Sequence, residues 1–469
     1  MLKPETAAFI AENRIHTLLT TAQKDVQSLP RAAILHIIEK ARLAQGLSLE
    51  ETAILIYSED PVVIAEVFSA ARAIKEAIYG RRLVFFAPLY LSSYCLNNCL
   101  YCGYRRDNHI TRQRLSLSEI AQEVTALEAM GHKRLALECG EDPRECTMDY
   151  LEEAIATIYG VHHERGSIRR VNVNIAATTE ENYRRLKAAK IGTYILFQET
   201  YHRPTYAKMH PVGPKADYDW HTTAHHRAMR AGIDDVGLGV LFGLYDFRFE
   251  ILALLQHSQE LETSFGVGPH TLSVPRLRPA PGVNLTDFPH LVSDHDFKRI
   301  VAILRLAVPY TGLIISTREE SSLRNELLAL GISQLSAGSS TDVGGYASAS
   351  RTSSSPQFSV EDHRSPDEMA ADLCRFGYLP SFCTACYRQG RTGDRFMALA
   401  KTGEIQNTCQ PNAILTFKEY LLDYASPDVR PLGERTLQAH LEQIKSPTIR
   451  ALTLERLARL EQGERDLYF

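Results

Sequence analysis

Eight short β-rich runs alternate with amphipathic helical stretches over residues 82–345 of this 469-residue chain. A strand followed by a helix and a further strand forms a parallel βαβ unit, and eight consecutive units close on themselves. We therefore predict an α/β fold, a (β/α)8 TIM-type barrel whose chemistry lies at the carboxyl ends of its strands. An open, doubly wound sheet is the second interpretation. The predicted strands are residues 83–87, 134–138, 171–176, 194–198, 236–242, 271–274, 313–316 and 334–336.

Helical patterns flank the predicted barrel on both sides. Ser48 and Glu51 have the spacing of a capping box, and Gly80 ends the first helical run. Beyond the barrel, further helical patterns surround a stretch that carries cysteines. The sequence therefore predicts three units: an N-terminal helical extension over residues 1–80, the barrel over 81–346 and a mainly helical C-terminal unit over 347–469.

The composition excludes several classes of protein. With 44% hydrophobic and 23% charged residues and a mean hydropathy of -0.20, the chain resembles a globular protein, and we expect it in the cytoplasm and away from membranes. A net charge of -4, with no basic block longer than Arg105-Arg106, argues against nucleic-acid binding. Six of the nine cysteines fall into two local clusters, which favours metal ligation over disulfides.

The first cysteine cluster follows the first predicted strand directly. Cys95, Cys99 and Cys102 form a CX3CX2C motif at the carboxyl end of that strand, where a barrel places its chemistry. Three thiolates can each hold one iron of a [4Fe-4S] cluster, which leaves the fourth iron open to a substrate. A structural zinc site completed by a histidine such as His109 is the alternative.

This motif, with the aromatic Tyr101 before its third cysteine, resembles that of the radical S-adenosylmethionine (SAM) superfamily. The resemblance implies that SAM binds the open iron and is cleaved by one electron to a 5′-deoxyadenosyl radical, which abstracts a hydrogen atom. It also implies that Gly140 and Glu141, after the second strand, meet the SAM ammonium group. A simple turn after the strand is the other interpretation of these two residues.

Polar residues on two further strands are candidates for SAM binding. Asn172 and Asn174 are two residues apart, so a strand points both to the same face, and we predict that they hold the ribose of SAM. Asparagine is unfavourable in a strand, which favours a functional role. Gln198 and Glu199, at the end of the fourth strand, are further candidates.

The second cysteine cluster lies in the C-terminal unit. Cys383, Cys386 and Cys409 form a CX2CX22C pattern, for which we predict an auxiliary iron-sulfur cluster. A zinc ribbon would show two CX2C knuckles and only one is present, although structural zinc stays the alternative. The other cysteines, Cys139, Cys146 and Cys374, are predicted to be buried thiols.

Taken together, the motifs resemble the HydG family, the tyrosine lyases of FeFe-hydrogenase maturation. The resemblance implies cleavage of the Cα–Cβ bond of L-tyrosine to p-cresol and dehydroglycine, and conversion of the latter to CO and cyanide at the auxiliary cluster. It implies a [4Fe-4S]-type auxiliary cluster with an additional iron and L-cysteine, a one-electron donor such as flavodoxin or ferredoxin, and a hydrogenase maturation scaffold protein. The motifs are the two cysteine clusters, Gly140 with Glu141, and residues 198–201, 275–279 and 316–319.

Two other functions stay open from the sequence. A ThiH-like 2-iminoacetate synthase, which makes dehydroglycine for thiamine thiazole synthesis, shares the barrel motifs but lacks the terminal CX2CX22C pattern. An iron-sulfur scaffold that only carries clusters would not need the Gly140 and Glu141 element or Arg318.

Three more residues gain a role from the family resemblance. Arg318, with Ser316, is predicted to grip the substrate carboxylate, although an ion pair with Glu319 or Glu320 is the alternative. His270 precedes the sixth strand, at the opposite mouth from the SAM loop, and is implied to hold the additional iron. We therefore expect the C-terminal unit to dock near His270, with a cavity through the barrel joining the two mouths.

Overall fold

Eight parallel strands form a closed barrel in the computed structural model, which describes residues 6–347 and 355–469. Each strand pairs with the next in sequence, and the last returns to the first through the pairs Val84 with Gln334 and Phe86 with Ser336. The predicted barrel is confirmed, and the open sheet is wrong. The strands are β1 Arg82–Ser92, β2 Arg134–Cys139, β3 Arg170–Asn174, β4 Tyr194–Glu199, β5 Val236–Val240, β6 Thr271–Ser273, β7 Gly312–Ile315 and β8 Ile332–Ser336.

Helices surround the barrel and continue at both ends of the chain. The predicted capping box is present, because Ser48 Oγ accepts from the Glu51 N–H at 3.1 Å and the Glu51 carboxylate accepts from the Ser48 N–H at 2.9 Å. The helices are α1 Glu12–Ser28, α2 Arg31–Arg42, α3 Leu49–Tyr57, α4 Pro61–Tyr79, α5 Leu117–Ala129, α6 Met148–Gly160, α7 Glu180–Ala188, α8 Arg203–Met209, α9 Tyr218–Thr222, α10 Ala224–Arg230, α11 Phe247–Phe265, α12 Asp294–Ala307, α13 Ser321–Leu330, α14 Pro366–Arg375, α15 Ala385–Arg388, α16 Gly393–Thr402, α17 Gln406–Asp423, α18 Val429–Glu442 and α19 Pro447–Glu461.

The barrel has two ends, which we call the upper mouth, at the carboxyl ends of the strands, and the lower mouth, at their amino ends. A layer of buried polar side chains crosses the interior between them. Arg170 Nε donates to Asn172 Oδ1 at 2.9 Å, and Arg134 Nη1 donates to Gln334 Oε1 at 3.2 Å. This layer separates the upper from the lower half of the interior.

A short ninth strand ties the C-terminal region to the barrel. Strand β9, Leu379–Ser381, runs parallel to β1 and pairs Arg82 with Leu379 and Val84 with Ser381. The ring of Phe382 then stacks on Tyr420 of α17, with ring centroids 4.7 Å apart. Because β9 lies beside the amino end of β1, the cysteines that follow it reach the lower mouth. The division into units at residues 80 and 346 stays a prediction.

Within residues 6–347 and 355–469, no helix combines the length and the apolar character that a membrane span needs.

Candidate functional site

A cavity of about 210 Å³ lies at the upper mouth, and the three thiols of the loop after β1 line it. Cys99 is buried, whereas Cys95 and Cys102 are half-buried. In the part of the chain that the structure describes, no three histidine, cysteine or carboxylate side chains converge on a single metal ion. A [4Fe-4S] cluster needs a wider arrangement, because each thiolate binds a separate iron atom. The donors at this mouth fit such a cluster.

The segment that follows α8 holds the cysteine loop in place. The Leu100 N–H donates to the Met209 carbonyl oxygen at 3.0 Å, and Asn97 Oδ1 accepts from the Lys215 N–H at 2.9 Å. Gly213 has a φ of +106°, and a Cβ atom there would lie 2.3 Å from Asn97 Oδ1. Only glycine permits this close approach.

The Gly140 and Glu141 element also rests against the cysteine loop. A Cβ atom on Gly140 would lie 2.2 Å from the Tyr94 carbonyl oxygen, so any other residue would push the loop away. The Glu141 carbonyl oxygen accepts from the Leu96 N–H at 2.8 Å, and its side chain accepts from Asn97 Nδ2 at 2.5 Å. Burial raises the pKa of the Glu141 carboxyl. Both residues line the upper cavity, as a contact to a SAM ammonium group requires.

A buried lysine lies beside the three thiols. Burial raises the pKa of all three, to about 11 for Cys102. The ammonium group of Lys215 opposes this rise, and its Nζ pairs with Glu199 Oε1 at 2.8 Å. Lys215 could not be predicted from the sequence, because it lies more than a hundred residues from the cysteines, in a short 3-10 helix that belongs to no motif.

The aromatic residue of the cysteine motif is fixed by a hydrogen bond. The buried Tyr101 ring lines the upper cavity, and its hydroxyl lies 2.8 Å from His210 Nε2. This bond sets the orientation of the ring next to Cys102.

The end of β4 places only one of its two predicted residues in the cavity. Phe197 and Glu199 line the upper cavity, whereas Gln198 points to the other face of the strand and lies outside it. Glu199 has a φ of +69°, a strained conformation that is rare outside glycine and is typical of functional positions. The prediction for Gln198 is therefore not supported by its position.

The two asparagines of β3 share a face but lie at different depths. Asn174 lines the upper cavity and hydrogen bonds to Glu138. Asn172 lies deeper, where its Oδ1 accepts from Arg170 Nε at 2.9 Å and from the Thr193 N–H at 3.0 Å. Only Asn174 is therefore placed to meet a ligand. Glu138, which sequence analysis missed, also lines the cavity, and burial raises its pKa to about 8.

Arg318 and Ser316 lie on the wall of the upper cavity, at the end of β7. The Arg318 guanidinium lies over the Phe358 ring, 3.3 Å from its centroid, and burial lowers its pKa. Glu319 does not pair with it, because that carboxylate accepts from Arg276 Nε at 3.1 Å. The alternative ion pair with Glu319 is therefore absent, and the guanidinium is available to a substrate carboxylate.

The lower mouth holds the second cysteine cluster. Cys383, Cys386 and Cys409 line a cavity of about 80 Å³ together with His270. The rings of His270 and Phe396 are 4.5 Å apart, so the C-terminal region docks at this mouth as expected. Nδ1 of His270 is buried without a hydrogen-bond partner among the described residues.

The thiols of the lower mouth differ from one another in acidity. A hydrogen bond from the Cys409 thiol, aided by the Arg391 guanidinium, lowers the pKa of Cys386 to about 6. Burial raises the pKa of Cys383. The hydrogen bond to Cys386 raises that of Cys409. Three cysteine sulfur atoms beside an unpartnered imidazole form a donor set that fits an iron-sulfur cluster with a histidine ligand nearby.

The cavities at the two mouths are separate in this structure, and their linings have no residue in common. On β8, Gln334 faces the lower cavity and Ser336 the upper one, and the polar layer lies between them. The expectation of a cavity through the barrel stays a prediction, and the side chains of Arg134 and Arg170 lie between the two cavities.

The three remaining cysteines also have defined positions. Cys374 is buried on α14, as predicted, and burial raises its pKa to about 11. Cys139 and Cys146 are half-buried rather than buried, and Cys139 lines the upper cavity.

A (β/α)8 barrel that carries a CX3CX2C loop after its first strand defines a radical SAM enzyme. The Radical SAM superfamily matches residues 89–256, and the Biotin and Thiamin Synthesis associated domain matches residues 273–379.

The 2-iminoacetate synthase of Escherichia coli K12 is 32% identical over 344 residues, which are 73% of this chain and 89% of that protein. The crystal structure of HydG, a maturase of the [FeFe]-hydrogenase, is 57% identical, with a TM-score of 0.96 over 99% of this chain and 100% of that one. HydG from Carboxydothermus hydrogenoformans is 42% identical, with a TM-score of 0.81 over 95% and 99% of the two chains. The chain belongs to the HydG family.

Proposed function

We propose that this enzyme is a tyrosine lyase of FeFe-hydrogenase maturation. It cleaves the Cα–Cβ bond of L-tyrosine to p-cresol and dehydroglycine, and it converts the latter to CO and cyanide at an auxiliary cluster. The observation that carries the proposal is the presence of two three-thiol sites at opposite mouths of one barrel. The likeness to HydG over the full chain supports it.

The upper mouth is the proposed site of SAM cleavage. Cys95, Cys99 and Cys102 would hold a [4Fe-4S] cluster, which supplies the electron that splits SAM into methionine and a 5′-deoxyadenosyl radical. Gly140 offers its backbone, and Glu141 its carboxylate, to the SAM ammonium group. The buried walls of the cavity keep water from the radical.

The remaining polar groups of the upper cavity divide between SAM and tyrosine. We assign Asn174 and Glu199 to the hydroxyl groups of SAM, and Tyr101 to the wall beside the cluster. The Arg318 fork and the Ser316 hydroxyl bind the tyrosine carboxylate, since a planar guanidinium can hold both carboxylate oxygens. Asn172 and Gln198 have no part in this assignment, because neither reaches the cavity.

The lower mouth is the proposed auxiliary site. Cys383, Cys386 and Cys409 would hold a [4Fe-4S]-type cluster, and the unpartnered His270 would hold an additional iron that also binds L-cysteine. The two mouths belong to one barrel, and the predicted passage between them would carry the small product of the first site to the second.

The proposal extends to partners and location. A one-electron donor such as flavodoxin or ferredoxin would reduce the upper cluster, and a hydrogenase maturation scaffold protein would receive the product. We place the enzyme in the cytoplasm, and we divide it into a helical extension, a barrel and an auxiliary-cluster domain at residues 80 and 346.

The proposal is tested with anaerobically reconstituted protein supplied with SAM, dithionite and L-tyrosine. The expected products are 5′-deoxyadenosine, p-cresol, CO and cyanide. Formation of p-cresol without CO would favour the second candidate, a 2-iminoacetate synthase, which the 32% identity to the Escherichia coli enzyme supports. Absence of p-cresol would contradict both lyases.

A further inference from the structure

Two exposed apolar residues lie side by side on the outer surface of the upper cysteine loop. Leu96 is 39% exposed and Val212 is 40% exposed. The Asn98 N–H donates to the Val212 carbonyl oxygen at 3.0 Å, and a Cβ atom on Gly213 would lie 2.9 Å from the Leu96 carbonyl oxygen, so the two segments are in contact. Neither Leu96 nor Val212 lines the upper cavity, so both side chains face away from it. We call these two residues the apolar pair.

The apolar pair lies close to the proposed site of SAM cleavage. Leu96 is bonded directly to Cys95, whose thiol lines the upper cavity. The segment that carries Val212 is also tied to the loop, because the Leu100 N–H donates to the Met209 carbonyl oxygen at 3.0 Å. One side of the loop thus faces the cavity with its thiols, and the other side presents the apolar pair to solvent. A protein docked on the pair would lie one residue along the chain from a cluster ligand.

The charges of the cysteine loop are mainly positive. Residues 96–114 contain four arginines and a single acidic residue, Asp107, although the whole chain has a net charge of -4. Arg105 Nε donates to Asn108 Oδ1 at 2.8 Å, and Arg112 Nη1 donates to two backbone carbonyl oxygens at 2.6 Å. These acceptors are uncharged, so they hold the two guanidinium groups without neutralising them.

Two exposed cations flank the apolar pair. The Arg106 N–H donates to the Asn97 carbonyl oxygen at 2.8 Å, and the Arg106 side chain is 47% exposed. Its guanidinium pairs with Asp107 at 3.2 Å, but an exposed ion pair of this kind is weak. Lys208 is exposed and directly precedes Met209, whose carbonyl oxygen the loop engages. Both cations are therefore available to a partner.

The neighbouring segment after β2 carries both signs of charge. Its charged residues are Asp142, Arg144 and Glu145, and Asp142 Oδ1 accepts from the backbone N–H groups of the other two at 2.8 and 3.2 Å. This segment adds no positive excess of its own. The excess on this face therefore comes from the cysteine loop and from Lys208.

This combination defines the kind of partner that the surface fits. An apolar centre within a charged rim is typical of protein–protein interfaces, and short-lived redox complexes use small ones. An excess of positive charge attracts a partner with an acidic face and speeds its encounter with the enzyme. The place of the apolar pair beside a cluster ligand suits a partner that delivers an electron.

We propose that the apolar pair, together with Arg106 and Lys208, is the docking surface for a small one-electron carrier protein with an acidic face. The proposal rests on the proposed function, which needs such a donor. The carrier is oxidised by one electron and the upper cluster is reduced by one, and no bond forms or breaks. The surface residues bind and orient the carrier and take no part in SAM cleavage.

The test uses the reconstituted enzyme and an acidic flavodoxin as the probe. Calorimetry measures binding of oxidised flavodoxin, and stopped-flow absorbance measures the rate constant for cluster reduction by fully reduced flavodoxin, without tyrosine. R106E/K208E should lower this rate constant about 10- to 100-fold at low ionic strength, since two reversed charges replace attraction by repulsion. The wild-type rate constant should fall as ionic strength rises, and that of R106E/K208E should not.

A second variant tests the apolar centre. V212E places a negative charge there and should weaken flavodoxin binding about tenfold. Leu96 is left unchanged because it lies between two cluster cysteines. Dithionite, which needs no docking surface, should reduce the cluster to the same extent in wild type and in every variant.

Matched controls lie in the C-terminal region. R435E/K445E reverses one exposed arginine and one exposed lysine, and L454E replaces a leucine that is 49% exposed. Both should bind flavodoxin and accept its electron as wild type does. If R106E/K208E lowers the iron content, R106Q/K208Q removes the two charges without reversing them and should still slow reduction by flavodoxin about fivefold.

Three results would overturn the docking surface. They are no reduction of wild type by flavodoxin, wild-type behaviour of both R106E/K208E and V212E, or equal losses in the two controls. Because dithionite replaces the carrier, a protein that makes p-cresol with dithionite but takes electrons from flavodoxin independently of these residues contradicts this inference alone. A protein whose reduction by flavodoxin depends on these residues, but which makes no p-cresol, contradicts the proposed function alone.

Discussion

The two mouths of the barrel differ in the charges that line them. The upper cavity mixes the carboxyl groups of Glu138, Glu141 and Glu199 with the cations of Lys215 and Arg318. The lower cavity sets four arginines against one aspartate. Mixed charges suit ligands that carry both an ammonium and a carboxylate group, as SAM and tyrosine do. An excess of arginine suits small anions.

The difference shows how one barrel can divide two chemical steps. The interior layer built on Arg134 and Arg170 separates the cavities, yet the same layer supplies the cations of the lower one. The same interior side chains therefore divide the two cavities and line the lower one. Variants at either mouth should alter one step and spare the other, and each of the following experiments examines that independence.

The largest effect is expected from replacing Cys95, Cys99 and Cys102 together by serine. Without a cluster at the upper mouth, SAM is not cleaved, so 5′-deoxyadenosine, p-cresol, CO and cyanide should all fall below detection. Chromatography and gas analysis measure the products. Iron counting should show that the lower mouth keeps its cluster, and loss of all iron would mean that the two sites assemble as one.

The next effect is confined to the lower mouth. Replacing Cys383 and Cys386 by alanine removes two of the three auxiliary thiols, so CO and cyanide should disappear while p-cresol formation continues. The same assay run side by side with wild type measures both. Equal loss of p-cresol would show that the mouths are not independent.

A smaller effect is expected for substrate binding at the upper mouth. R318Q removes the guanidinium fork, and the KM for tyrosine should rise about 10- to 100-fold, the range for a lost hydrogen bond to a charged group. Steady-state p-cresol formation measures it. The control R278Q removes a guanidinium that pairs with Glu319 outside the cavity and should leave KM unchanged. An equal rise of KM in R278Q would contradict the assignment of the tyrosine carboxylate to Arg318.

The smallest effect concerns pH. Burial raises the pKa of Glu138 to about 8, so this group is neutral below pH 8 and negative above it. The new charge competes with the substrate carboxylate for Arg318, and the KM for tyrosine should rise about fivefold between pH 7 and 9, equivalent to about 1 kcal/mol. E138Q, which cannot ionise, should lack this rise. A KM that rises equally in E138Q would exclude Glu138 as the cause.

Much of this architecture could be predicted from the sequence, because strand and helix periodicity and the spacing of cysteines are local properties. The eight strands and the position of Arg318 at the end of β7 are examples. How deep a strand residue lies in the barrel, and whether its side chain faces the cavity, could not be predicted from the sequence. Asn172 and Asn174 have the same periodicity, but only Asn174, at the carboxyl end of β3, lines the cavity, whereas Asn172 lies two residues deeper in the barrel. The alternation of residues along a strand likewise does not predict the positive φ of Glu199.

Other site residues could not be predicted because they reach the site only through contacts that are distant in the sequence. Lys215 reaches the thiols only because the loop after α8 folds over the cysteine motif, and no local pattern records that contact. Glu138 precedes a recognised element, and its raised pKa comes mainly from burial, which no local pattern records. Arg82, Arg134 and Arg170 each begin a strand, and the sequence alone does not show that the closed barrel brings all three to the lower cavity.

Strand β9 has a consequence for the order in which a newly made chain matures. Its hydrogen bonds to β1 complete the lower mouth, yet β9 leaves the ribosome only after all eight barrel strands. Every residue that lines the upper cavity is therefore synthesised before the three cysteines of the lower one, so the lower mouth is the last part of the barrel that a growing chain can complete.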